Sequence, residues 1–233
     1  MIDIGSTDFL INVPSLPRKE FKFYSTNLFD EWEKSVEQTL TLADSSISLE
    51  IEEGSIKGAG KIAVALGTLY FGIGNYGDFI SGLETIRKQV SYVSNALFKS
   101  AMSPFGCSNV DAKVRRNGGT LSHLHRLFDK VQRGVLTPDE AMIEVQMLLG
   151  EEGESVPEFI RELRLQFENA PRHPKQLSLI DEEWEECVGE PTDGKKRSPR
   201  TPSPKPIPLY QHYRIEIWRE SKKDKKHVRV TGL

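Results

Sequence analysis

The chain has 233 residues, of which 37% are hydrophobic, enough for one ordinary domain or two small ones. Its net charge of −3 points to no partner class by itself, but the charges are segregated: residues 1–190 carry 19 Lys/Arg against 30 Asp/Glu, and residues 191–233 carry 12 against 4. Two cysteines, Cys107 and Cys187, stand far apart without a CxxC or a histidine at ligand spacing, which argues against a disulfide framework or a zinc site and fits a reducing compartment.

The first residues contain Asp3 and Asp8 and no basic segment, so no secretory signal is expected and a cytoplasmic location is. Phe9–Val13 is β-like and stops at Pro14 and Pro17. The spacing of Phe29, Trp32, Val36 and Leu40 predicts a helix over 27–42, with Ser25, Thr26 and Asn27 as candidate N-caps. In Ser46–Glu52, Ile47, Leu49 and Ile51 alternate with polar residues and predict a half-buried strand.

The central feature is the uncharged run Ile62–Gly77, inside a glycine-punctuated stretch 58–82. Three readings compete for it. It can be core. It can insert in a membrane, although 16 uncharged residues fall short of the roughly 20 apolar residues of a comfortable span. It can bind phosphate, because Gly72-Ile73-Gly74-Asn75-Tyr76-Gly77 has the G-x-G-x-x-G spacing; the acidic strand end that should follow about 20 residues later is missing. From Asp78 a helix is predicted, with Leu83, Ile86, Val90, Val93 and Leu97 on one face.

Residues 102–120, with Pro104, Gly106 and Asn117-Gly118-Gly119, read as a loop. Arg115-Arg116-Asn117-Gly118-Gly119 is a weak phosphate candidate through its arginines and backbone amides, with a plain surface loop as the alternative. Leu121, Leu124, Phe128 and Val131 mark a helix ending at Gly134, and Thr137-Pro138-Asp139-Glu140 has the form of a capping box with proline at the first helical position. Ser155-Val156-Pro157-Glu158 opens a third helix with Phe159, Ile160, Leu163 and Phe167 on its apolar side.

Asp181–Glu190 is acidic around Trp184, and the Pro-, Lys- and Arg-rich stretch that follows has the composition of a disordered linker. Tyr213, Ile215 and Ile217, then Val228 and Val230, alternate on either side of a polar turn and predict a hairpin. A lone hairpin is marginal in water, so it is expected to extend a sheet containing Phe9–Val13 and Ile47–Ile51.

The expected fold is α+β: a small antiparallel sheet with a long central helix, a helical subdomain, a disordered linker and a C-terminal β-hairpin. The expected divisions are 1–103, 120–170, 187–208 and 209–233. No catalytic, cofactor or metal set stands out; His123 and His125, two apart, fall on different helix faces. The expected function is therefore non-enzymatic: an accessory protein that self-associates or docks a protein partner through Gly67, Tyr70, Gly72, Gly74, Tyr76, Gly77, Gly82, Leu83, Ile86 and Val90. One alternative is an oligomerising, membrane-inserting effector using 58–82. The other is a nucleic-acid-binding accessory protein using Lys195, Lys196, Arg197, Arg200, Lys222, Lys223, Lys225 and Lys226, with Tyr210, Tyr213 and Trp218 available for stacking. A basic tail of this kind can equally fold back on the acidic body.

Overall fold

A computed structural model describes residues 1–75, 78–106, 112–171 and 213–232. Six strands form one antiparallel sheet: β1 (Ile2–Ile11), β2 (Ser46–Glu52), β3 (Ile56–Val64), β4 (Ala112–Asn117), β5 (Tyr213–Arg219) and β6 (His227–Gly232), in the spatial order β4-β1-β3-β2-β5-β6. The helices are α1 (Arg18–Thr39), α2 (Leu66–Gly74), α3 (Phe79–Met102), α4 (Gly119–Gln132), α5 (Pro138–Leu149), the single turn α6 (Glu151–Glu154) and α7 (Pro157–Glu168). This is the expected α+β class, and the hairpin joins the sheet through β5 on β2. The linker expected at 187–208, with Lys195, Lys196, Arg197 and Arg200, lies outside the described residues, as do Tyr76, Gly77 and the acidic stretch around Trp184.

Alternation places one side of every central strand in the core. Phe9 and Ile11, Ile47, Leu49 and Ile51, Ile62 and Val64, and Ile215 and Ile217 are all buried. On β3 the inward positions between Ile56 and Ile62 are Gly58 and Gly60. Their missing side chains are replaced from elsewhere: a Cβ on Gly58 would fall 2.0 Å from Phe9 Cζ, and one on Gly60 would fall 2.4 Å from Leu97 Cδ2 and 3.2 Å from Trp32 Cη2. α1 lays Phe21, Leu28, Phe29, Trp32 and Val36, each at most 2% exposed, on this side. Each such side chain contributes about 2 kcal/mol by leaving water, more than any cap or surface ion pair.

Besides β1, which begins at Ile2 rather than Phe9 and ends at Ile11 rather than Val13, the elements differ from expectation in four places. α1 begins nine residues before position 27, directly after Pro17. Ser25 and Thr26 are mid-helix, where their hydroxyls donate to the carbonyls of Phe21 (2.8 Å) and Lys22 (2.9 Å) instead of capping an end. The run Ile62–Gly77 is two elements, the end of β3 and then α2, parted at the extended residue Ala65. Third, the stretch read as a loop contains β4, an edge strand paired with β1. Finally, α7 starts after Val156 without a side-chain cap. By contrast Asp78 caps α3, accepting from the Ser81 N–H at 3.1 Å, and Thr137 and Glu140 form the capping box of α5.

Candidate functional site

The glycine segment packs inward through part of its surface, while Phe71 within it is 76% exposed. Leu83, Ile86 and Val90 are 1%, 0% and 3% exposed. A Cβ on Gly72 would lie 2.4 Å from Leu42, and one on Gly82 would lie 2.5 Å from the Ile73 carbonyl oxygen. These close neighbours belong to the same chain. Gly67 is half-buried beside Val156, Tyr70 packs edge-on to Phe159 with ring centroids 6.0 Å apart, and Gly74 is exposed with nothing near it. Gly72 and Gly74 sit in the last turn of α2 and not in a strand-to-helix turn, so the dinucleotide spacing has no matching backbone. Among the described residues, no helix is long and apolar enough to cross a membrane.

The basic hairpin divides into two parts. Lys222 donates from Nζ to the Leu42 carbonyl at 2.6 Å and from its backbone N–H to Asp44 at 2.8 Å. Lys226 pairs with Asp30 of α1. Arg219, 4% exposed, sets Nη1 at 2.6 Å from both Glu33 and Glu37. Burial lifts the Glu33 carboxyl above its ordinary value, and Arg219 only partly offsets this. At Asp44 the desolvation is outweighed by donors from Lys222, Ser221 and Ser45, which hold it below the usual carboxylate value. The hairpin thus folds back on the acidic body, as its charge allowed. Lys223 and Lys225 remain exposed.

The sheet's other face is open and salted. The row Arg115, Asp8, Ala59, Glu50, Glu216 and Arg229 crosses all six strands. Arg214 pairs with Glu50 at 3.0 Å and with Glu52, Lys57 with Glu52 at 3.7 Å, and Arg229 with Glu216 at 3.6 Å. Trp218 stacks on His227 at 5.4 Å and carries Arg229 at 5.5 Å from its centroid. Tyr213 lies against Phe21 and Arg18. A shallow groove of about 450 Å³ runs over Leu10 and Ala59. Opposed charges cancel here, so the face offers geometry more than field. Among the described residues no group of three or more His, Cys, Asp and Glu could hold a metal. His123 is exposed, and His125 lies between Glu84 (3.6 Å) and Asp129 (3.3 Å).

The two sheet edges differ. β4 carries exposed Lys113, Arg115 and Arg116. β6 is exposed at all six residues, and Val228 and Val230 are 42% and 37% exposed on the side that α1 covers elsewhere. Neither valine stands out in the sequence, because alternation in a hairpin predicts burial for both. No family model, curated protein or solved structure matches this chain.

Proposed function

We propose that this chain is a non-enzymatic interaction protein that self-associates along the free edge of β6. The observation that carries the proposal is the exposure of Val228 and Val230 on an edge strand that pairs on one side only among the described residues. Natural sheets guard such edges with charge, as β4 does here with Lys113, Arg115 and Arg116. On β6 the only charged residue among those six, at neutral histidine, is Arg229, already paired with Glu216 across the hairpin.

The occupant that suits this edge is a second copy. Antiparallel pairing centred on Val230 would set Val230 beside its counterpart, Val228 opposite Gly232 and Arg229 opposite Thr231. No like charges would meet, and four valines would form one apolar patch beyond α1. The new ladder would add main-chain hydrogen bonds of about 1 kcal/mol net each. Of the segment first expected to dock a partner, Gly67 to Val90, the residues Gly72, Gly82, Leu83, Ile86 and Val90 are packed within the chain, which favours β6 as the docking surface.

Light scattering of the full chain tests the reading. A mass of two chains is expected, falling to one chain in Val228→Lys and Val230→Lys variants whose circular dichroism is unchanged. A one-chain mass for the unmodified protein at its highest attainable concentration would remove the proposal.

A further inference from the structure

A second surface feature lies far from β6 along the sheet, where the end of β4 turns into α4. The turn is pressed onto β1: Gly119 has φ +52°, and a Cβ there would fall 2.4 Å from the Asp3 carbonyl oxygen. This places the start of α4 beside the outward stripe of α3 and leaves a cleft of about 300 Å³ between them. α3 lines it with Arg87, Lys88, Ser91 and Ser94, at helical spacing. β4 and α4 close it with Arg116 and Ser122.

The cleft has donors and no carboxylate among its lining residues. Ser94 is 5% exposed and lines the cleft. The Nε of Arg87 is buried and has no hydrogen-bond partner among the described residues. Arg116 sets its guanidinium over the Phe98 ring, 5.9 Å from the centroid, without a carboxylate partner among the described residues. Lys88 is held by Glu84 at 3.6 Å, one turn away on the same helix. Asn117 accepts from the Gly119 N–H at 3.2 Å where the 14-residue α4 begins, an end that carries no side-chain cap from Gly118.

We infer that this cleft binds a tetrahedral phosphate, free or as the head of a small ester. A phosphate oxygen is the acceptor that the buried Arg87 Nε lacks, and Ser91, Ser94 and Ser122 line the same cleft with hydroxyl donors. The planar fork of Arg116 suits two phosphate oxygens at once. The volume is at the small end of ligand pockets, which accommodates a phosphate with a few attached carbons. This site is independent of β6 and would be present in either assembly state.

Titration calorimetry of the full chain with inorganic phosphate and with glycerol 3-phosphate, at ionic strength matched with sodium chloride, tests it. Saturable one-to-one binding is expected for at least one of them. Tighter glycerol phosphate assigns the site to an ester, and equal affinities assign it to the free anion. Arg116→Gln, at an exposed position that folding does not need, should weaken binding about tenfold or more, the loss expected for a charged hydrogen bond. Ser94→Val should weaken it in the same direction. Lys113→Gln, on the same strand but the opposite face, should leave it unchanged. Absence of saturable heat with both anions, or an equal loss in Lys113→Gln, overturns the assignment.

Discussion

A methyl group at Gly82 would meet the backbone carbonyl of Ile73 at 2.5 Å, and a carbonyl in a helix cannot step aside as a side-chain end can. Gly82→Ala should therefore cost about 2 kcal/mol in urea unfolding. Gly74→Ala, eight residues earlier with nothing within 4 Å, should gain about 0.5 kcal/mol by restricting the unfolded chain. Equal effects at the two positions would contradict the packing role of this segment. Asp44 gives a pH signature. Its carboxyl is held below the ordinary value by the hairpin's donors, so its contribution is complete above the unfolded value of about 3.9 and fades as pH falls through the lower folded value. The unfolding midpoint should drop below about pH 4, and Asp44→Asn should flatten that drop. At this scale the sequence is readable where a side chain makes the local bond itself, as in the capping box of Thr137 and Glu140. It misleads at Ser25 and Thr26, because a hydroxyl that can cap a helix can also bond back to the preceding turn.

Elements were legible where apolar inward positions alternate without a break; β1, whose register shifts between Asp3 and Gly5, was legible only from Phe9. β2, with Ile47, Leu49 and Ile51, was read with its observed ends. β3 was not, because two of its inward positions are glycines and the core there is filled by Phe9, Trp32 and Leu97 from other elements. β4 was missed because an edge strand bearing Lys113, Arg115 and Arg116 shows polar residues on both faces and ends in Asn-Gly-Gly. The contact of α1 with β5 depends on the buried guanidinium of Arg219 between Glu33 and Glu37. Replacing both glutamates with alanine leaves that charge uncompensated and should cost about 3 kcal/mol, read from thermal or urea unfolding. Replacing Arg161, exposed on α7, should change little by the same measurement.

For the whole molecule, the α+β class and the addition of the hairpin to the sheet followed from alternation and from the marginal stability of an isolated hairpin. The candidate sites were less legible. Exposure of Val228 and Val230 depends on where α1 stops covering the sheet, and the α3–α4 cleft depends on residues from three separate elements. Deleting residues 213–232 removes Ile215 and Ile217 from the core, about 4 kcal/mol from these two side chains alone. Against a typical total of about 5–15 kcal/mol, the shortened chain should lose its cooperative unfolding transition, seen as a broadened melt. The pairing of β2 with β5 also has a consequence during synthesis. Arg214 and its partner Glu52 are 162 residues apart, whereas β3 follows β2 almost at once. At bacterial or eukaryotic translation speeds the outer edge of β2 stays bare for roughly 10–30 s while the intervening chain is made. Throughout that interval Ile47, Leu49 and Ile51 lie on a strand that any extended neighbour can pair with, so slowing the ribosome over the second half of the message should raise the aggregated fraction of newly made protein.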